Sequence, residues 1–132
     1  MKRTYDTGLD NNSIKLEVQI GTVGVAYSAS YLLRTGGQWT KLAESNFESG
    51  NIPESEIGKA SFLRKSYIVI RSMIDFGHLS EKEREIAVDN IRASYIFTGG
   101  FSGHQNYNID NDDLTVTPNK KLVTVIKAIE MI

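Results

Sequence analysis

An acidic and amide-rich segment holds the side chains whose spacing is most suggestive of chemistry. Asn108, Asp110, Asp112 and Asp113 place oxygen atoms at nearly alternate positions just before a predicted strand. Alternate oxygens in a loop are typical ligands of Ca²⁺. An EF-hand is not indicated, because Asp113 and Asn119 stand where that motif needs Gly and Glu. The segment is therefore interpreted as a solvated turn, and the alternative is a sandwich-type calcium loop completed by a second loop such as residues 10–12.

A glycine-rich loop immediately before this segment combines backbone freedom with aromatic, hydroxyl, amide and imidazole side chains. Glycine lets the backbone approach a ligand closely, and the side chains supply the contacts. Trp39, beside a glycine turn, adds a stacking platform, although core packing is the alternative for an aromatic residue. The predicted ligand-binding residues are Phe101, Ser102, His104, Gln105, Tyr107 and Trp39.

Motifs for catalysis are scarce in this sequence. His104 with Asp110 or Asp112 would suit a small hydrolase. However, the sequence has no Gly-x-Ser-x-Gly elbow and no phosphate-binding Gly-x-x-x-x-Gly-Lys loop. It also has no cysteine, which excludes disulfides, thiol nucleophiles and thiolate metal sites. We therefore predict a protein that is not an enzyme and needs no cofactor, with the hydrolase as an alternative.

Composition excludes several classes of partner. The 15 basic and 16 acidic residues give a net charge of −1, and the densest groups of basic residues are pairs rather than stripes. Nucleic-acid binding is therefore not expected, because it relies on clustered positive charge. No run of about 20 apolar residues is present to span a bilayer. The N-terminus lacks the apolar core of a signal peptide, so a cytoplasmic location is expected.

The size and composition of the chain predict one globular domain. Its 132 residues are 40% hydrophobic and 23% charged, which are ordinary values for such a domain. Residues 1–12 are polar and contain Gly8, so they are expected to form a loose lead-in. The domain is then expected to occupy residues 1–132.

Alternation of side chains predicts two strands in the first quarter of the chain. Ile14, Leu16, Val18 and Ile20 alternate with polar residues, which is the pattern of a half-buried strand. Residues 22–33 alternate between a small, mostly polar face and a large apolar face, and the large face is expected to close the interior. The residues of that large face are Val23, Val25, Tyr27, Ala29, Tyr31 and Leu33.

The remaining elements follow from turns and caps. Gly36 and Gly37 predict a hairpin into a strand over residues 38–43. The segment 44–60 is interpreted as a long loop with a helical turn at 53–57, and Ser80 followed by Glu83 predicts a capped helix ending near residue 90. Four further strands are predicted. Residues 66–76 are expected to form a central strand and residues 93–98 another strand, and residues 114–117 and 121–131 are expected to form a hairpin.

About seven strands and one short helix predict an all-β fold, an antiparallel β-sandwich or barrel. The alternative is an α+β fold with one sheet and a helix on one face. The predicted function is a non-enzymatic binding or assembly module for a protein partner or a small polar or carbohydrate ligand. Binding is expected through loops 44–60 and 99–113 or through a sheet edge, such as the last strand in a homo-oligomer. A calcium-stabilised sandwich is the other alternative.

Overall fold

A computed structural model of the chain describes residues 3–46 and 48–132. Met1 and Lys2 of the predicted lead-in, and Phe47 of the predicted 44–60 loop, lie outside those ranges. Within them the chain forms ten strands, two short α-helices and one 3-10 turn. In chain order these are β1 (Thr4–Tyr5), β2 (Ser13–Gly21), β3 (Val25–Leu33), β4 (Trp39–Glu44), β5 (Ile52–Lys59), α1 (Ala60–Leu63), β6 (Tyr67–Asp75), α2 (Glu81–Asp89), β7 (Arg92–Thr98), β8 (Gln105–Asn108), the 3-10 turn (Asn111–Asp113), β9 (Leu114–Val116) and β10 (Leu122–Met131).

The strands form two sheets, which confirms the all-β, sandwich-like prediction. The six-stranded sheet has the order β1-β10-β6-β3-β4, with β9 also paired to β10, and the four-stranded sheet has the order β5-β2-β7-β8. Strand β1 runs parallel to β10, and the other described strand pairs are antiparallel. The predicted hairpins β3–β4 and β9–β10 are both present, and β6 is the central strand as expected.

The inner faces of the two sheets enclose the apolar core. Alternate residues of β2 (Ile14, Leu16 and Val18) are fully buried, as their period of two predicts. They share a cluster with Tyr95 and Phe97 of β7 and with the inner residues of the six-stranded sheet. Burial of this apolar surface is the main stabilising contribution to the fold.

Strand β3 is present as predicted, but the prediction of its buried face is wrong. Its small residues point inward, with Ala26 and Ser28 at most 2% exposed, whereas Val25 and Tyr27 are 44% and 45% exposed. The cause is the segment that follows β4. Its backbone pairs beside β3, where Ala26 N donates to Glu48 O at 2.7 Å, and then passes over the small inward side chains of β3 at Gly50. A Cβ atom at Gly50 would lie 2.8 Å from the Cβ of Ala26, so only small side chains fit beneath this segment.

Three further predictions are corrected by the structure. Residues 52–59 of the predicted loop form β5, an edge strand, and edge strands tolerate a residue such as Pro53. The lead-in is not loose throughout, because Tyr5 pairs with β10 and is fully buried. The last strand is not an open edge, because β10 pairs with β6 on one side and with β9 and β1 on the other.

The predicted helix cap is confirmed. The Ser80 hydroxyl accepts a hydrogen bond from Glu83 N at 3.3 Å, and the Glu83 carboxylate accepts one from Ser80 N at 2.9 Å. Helix α2 buries Ala87 in a second apolar cluster with Ile74 and Phe76 at one end of the sandwich. No helix in the ranges 3–46 and 48–132 has the length and apolar character needed to cross a membrane.

Candidate functional site

The outward side of the six-stranded sheet is unusually rich in exposed apolar side chains. We call it the outer face and define it as the outward side chains of β3, β4, β6 and β10. Five large apolar residues on it are between 44% and 56% exposed, although outward positions of a sandwich normally carry polar residues. These residues are Val25, Tyr27, Trp39, Tyr67 and Ile126.

The strand register places these side chains in contiguous rows. Tyr67 of β6 lies opposite Leu33 of β3, which in turn lies opposite Trp39 of β4. The Trp39 ring packs edge-on against Tyr31, with 5.8 Å between ring centroids. Two rows away, beyond the row of Val69, Arg71 of β6 lies between Ile126 and Ala29. The rows therefore form one continuous apolar and aromatic surface around an arginine.

The charges on the outer face are unevenly compensated. Lys41 and Glu44 of β4 pair with each other at 3.1 Å, and the Tyr27 hydroxyl donates to the same Glu44 carboxylate. The Tyr27 hydrogen bond, with Lys41, lowers the pKa of Glu44 below its usual 4.5. Arg71 and Asp75, both exposed, form no ion pair with any residue in 3–46 or 48–132. Among the described residues, Arg71, Asp75 and the outward Glu130 of β10 thus have no ion-pair partner, although Asp75 Oδ1 accepts a hydrogen bond from Gly77 N at 2.7 Å.

A second group of charges extends from a buried lysine of β10 to the surface of the protein. We call it the polar cluster and define it as Arg3, Asp110, Asp112, Asp113 and Lys127. Lys127 Nζ lies 2.8 Å from Asp110 Oδ2 and 3.2 Å from Asp113 Oδ2. Arg3 contacts Asp112 at 2.8 Å, Asp110 at 3.0 Å and Asp113 at 3.4 Å. Two cations therefore bridge three carboxylates.

Three of the four predicted calcium ligands meet in this polar cluster. Oxygens of Asp110, Asp112 and Asp113 come within 4.8 Å of one another, whereas Asn108 ends β8 and is exposed. The Lys127 hydrogen bond is the main cause of a lowered pKa at Asp110. A Ca²⁺ ion would have to compete with both protein cations for these oxygens. Calcium binding stays a prediction, tested by a change of melting temperature on adding millimolar Ca²⁺.

The glycine-rich loop brings together four of the six predicted ligand-binding residues. Phe101, Ser102, Gln105 and Tyr107 line a shallow pocket of about 420 Å³. Most of the polar atoms in this pocket bond within the protein: Ser102 Oγ accepts from Asp6 N at 2.9 Å, and the Tyr107 hydroxyl donates to Thr4 O at 2.6 Å. The loop therefore anchors the N-terminal segment to the sandwich, and ligand binding there stays a prediction.

The other two predicted ligand-binding residues lie elsewhere. His104 is exposed in the turn before β8, and Trp39 belongs to the outer face. The described ion pairs and hydrogen bonds of Asp110 and Asp112 involve Arg3 and Lys127 but not His104. The described contacts therefore do not support the hydrolase. An assay for hydrolytic activity in His104→Ala would test it.

Two functional candidates were not anticipated as such from the sequence. Arg71 was visible only as an interruption of an otherwise apolar strand face. Lys127 occupies an inward position in the alternation of Val123, Val125 and Ile129, so its position in the pattern was the available signal. In both cases the sequence shows a charged residue in a mostly apolar pattern, and only the packing shows which residues surround it.

Comparisons with models of protein families, with curated proteins and with solved structures find no match to this chain.

Proposed function

We propose that the protein is a non-enzymatic assembly module in which the outer face packs against the outer face of a second copy. The observation that carries this proposal is the strand register, which gathers five exposed large apolar residues around Arg71 on one surface. Contiguous exposed apolar surface with a polar rim is typical of protein interaction sites. Tyrosine, tryptophan and arginine are also the residues most enriched among interface hot spots.

The choice of a second copy follows from the positions of Arg71 and Asp75, which have opposite charges and no ion pair among the described residues. Arg71 and Asp75 lie on the outward side of the same strand, two residues before and two residues after Met73. A two-fold axis that crosses the strand near Met73 would bring each Arg71 opposite the Asp75 of the other copy. A two-fold interface requires such a self-complementary patch, in which residue i meets j and j meets i. The charges of the outer face satisfy this requirement.

Aliphatic residues favour a protein partner over a carbohydrate. Leu122, Thr124 and Ile126 of β10 flank Asp75, Met73 and Arg71 of β6. Sugars stack on isolated aromatic rings, whereas branched aliphatic side chains around a central charge suit the packed core of a protein interface. Trp39 and Tyr67, at the other end of the outer face, then act as further anchors.

A charge-reversal cycle tests the proposal. Sedimentation velocity over a range of concentrations should show dimers of the wild-type chain. In Arg71→Asp and in Asp75→Arg, like charges would face each other, which costs several kcal/mol, so the dissociation constant should rise at least about 100-fold. The double variant restores opposite charges and should recover most of the affinity.

Two outcomes would count against the proposed assembly. A wild-type chain that stays monomeric at millimolar concentration overturns it. Dimers that are unaffected by both single reversals show that another surface mediates self-association. A monomer whose Trp39 fluorescence responds to oligosaccharides would instead favour a carbohydrate-binding module.

A further inference from the structure

Lys127 is a buried nucleophile that the proposed assembly does not use. It occupies an inward position of β10, between Val125 and Ile129, and its side chain is 1% exposed. Removing an ammonium group from water is costly, and apolar replacements of buried ion pairs are often at least as stable. Stability alone therefore does not explain a lysine at this position.

We propose that Lys127 and Asp113 condense after folding to form an intramolecular amide bond between the Lys127 side-chain nitrogen and the Asp113 side-chain carbonyl. The bond would tie the 3-10 turn before β9 to the middle of β10. The proposal is independent of the assembly through the outer face.

The geometry places the reacting groups in contact and away from solvent. Lys127 Nζ lies 3.2 Å from Asp113 Oδ2, and the side chains are 1% and 2% exposed. The nitrogen is thereby held beside an oxygen that is bonded to the carboxyl carbon it would attack, and holding the two groups together removes much of the entropic barrier. Exclusion of water also protects the product from hydrolysis.

The neighbouring groups fit the roles that amide formation needs. Asp110 Oδ2 accepts a hydrogen bond from Lys127 Nζ at 2.8 Å, so this carboxylate can remove a proton from the nitrogen. The Asp110 backbone N–H donates to Asp113 Oδ2 at 2.8 Å, and Arg3 lies 3.4 Å from Asp113 Oδ1. These two contacts would stabilise the negative charge that develops on the Asp113 oxygens.

The reaction balances without an external reagent. The Lys127 ammonium transfers one proton to the Asp113 carboxylate, which leaves a neutral amine and a neutral acid. The nitrogen lone pair attacks the Asp113 carboxyl carbon, Asp110 takes a second proton from the nitrogen, and the nitrogen keeps its third proton as the amide N–H. The carbon–hydroxyl bond then breaks. Asp110 returns its proton to the departing hydroxyl, so one water molecule is released. A carboxylate and an ammonium become one amide, and the net charge of the polar cluster is unchanged.

Asp113 is the preferred partner among the three carboxylates. Its side chain is 2% exposed, compared with 15% for Asp110 and 75% for Asp112. The described contacts join Asp112 to Arg3 and not to Lys127. Asp110 lies closer to the Lys127 amine than Asp113 does. However, Asp110 accepts hydrogen bonds from both Arg3 and Lys127, which suits a carboxylate that accepts and returns a proton rather than one that forms the amide bond.

Intact mass spectrometry of the denatured full-length chain tests the proposal. The wild-type protein should be lighter than its sequence mass, with or without the initiator methionine, by the mass of one water molecule. Trypsin should fail to cleave after Lys127, and the digest should contain one branched peptide that joins Lys127 to Asp113. Lys127→Met should keep its full sequence mass, whereas the exposed control Lys41→Met should still lose water.

The same measurement covers the outcomes that would contradict the proposal. A folded wild-type chain that keeps its full mass after prolonged incubation overturns it, as does a water loss that persists in Lys127→Met. A water loss that maps to another pair of residues overturns it equally. Asp110→Asn should slow the loss of water at least about tenfold, because it removes a general base; an unchanged rate would overturn the role given to Asp110. The wild-type mass decides the proposal even if a variant fails to fold.

Discussion

The two sheets present opposite kinds of surface on their outward sides. The outward residues of β2 in the four-stranded sheet are Lys15, Glu17 and Gln19, and the neighbouring edge strand β5 contributes Glu54 and Glu56. The corresponding positions of β3 in the six-stranded sheet are Val25, Tyr27, Ala29, Tyr31 and Leu33. Both sheets bury apolar inner faces, so the fold does not require an apolar outer face.

This difference distinguishes the side chains that the sandwich requires in order to fold from the side chains that are available for association. A sandwich is stable with polar outward residues, as the four-stranded sheet shows. Large apolar side chains on the outward side of the other sheet are therefore the basis of the proposed contact with a second copy.

The largest effect is expected on the free energy of unfolding, when an inward isoleucine of the six-stranded sheet is truncated and the result is compared with truncation of an outward one. Ile70 is fully buried, whereas Ile126 is 45% exposed. Ile70→Ala should lower the free energy of unfolding by about 2–5 kcal/mol, because it removes buried contacts and leaves a cavity. Ile126→Ala should change it by less than about 0.5 kcal/mol in the monomer. Urea unfolding at low protein concentration measures the free energy of unfolding of both variants. Equal decreases would contradict the distinction between the inner and outer faces.

Association should respond to the outer face of only one sheet. Ile126→Lys places a charge in the proposed interface and should weaken dimers at least about tenfold. Ile96→Lys makes the same change at an outward position of β7, in the four-stranded sheet, and should leave the dimer unchanged. Sedimentation velocity compares the two variants, with circular dichroism as the check on folding. A stronger effect from Ile96→Lys would reverse the assignment of the surfaces.

The inward orientation of the small side chains of β3 can be tested at Gly50. Its φ of +77° favours glycine, and an added Cβ would lie 2.8 Å from Ala26 Cβ. Gly50→Ala should cost about 1–3 kcal/mol through crowding and backbone strain. Adding Ala26→Gly should recover the crowding part, because it removes the opposing methyl group. Thermal unfolding of the single and double variants measures the recovery, and no cost at all would contradict the proposed close approach.

The smallest effect concerns the pH dependence of the outer face. The Tyr27 hydroxyl lowers the pKa of Glu44, so their interaction stabilises the folded state above pH 4.5 and is lost as the pH falls through the lowered value. Tyr27→Phe removes only the hydroxyl and should move the Glu44 pKa back towards 4.5. A carboxyl NMR titration measures the change. If the pKa of Glu44 is the same in Tyr27→Phe as in the wild-type protein, the Tyr27 hydroxyl does not lower it, and Lys41 alone accounts for its lowered value.

The sequence by itself determined the elements whose signals are local. The period of two in β2, the glycine turn between β3 and β4 and the capping box at Ser80 and Glu83 all act within a few residues, so each predicted element is present. The acidic segment also predicted that Asp110, Asp112 and Asp113 would lie together, because they are nearly adjacent in the chain.

The tertiary structure alone decided which side of β3 is buried, and so where the apolar surface lies. Alternation sorts side chains into two sets but does not say which set faces inward, and here the backbone near Gly50 made that choice by leaving room only for small residues. The same holds for Tyr5, which is buried by pairing with a strand more than a hundred residues away. Lys127 likewise became a candidate nucleophile only when folding removed it from water and set it against Asp113.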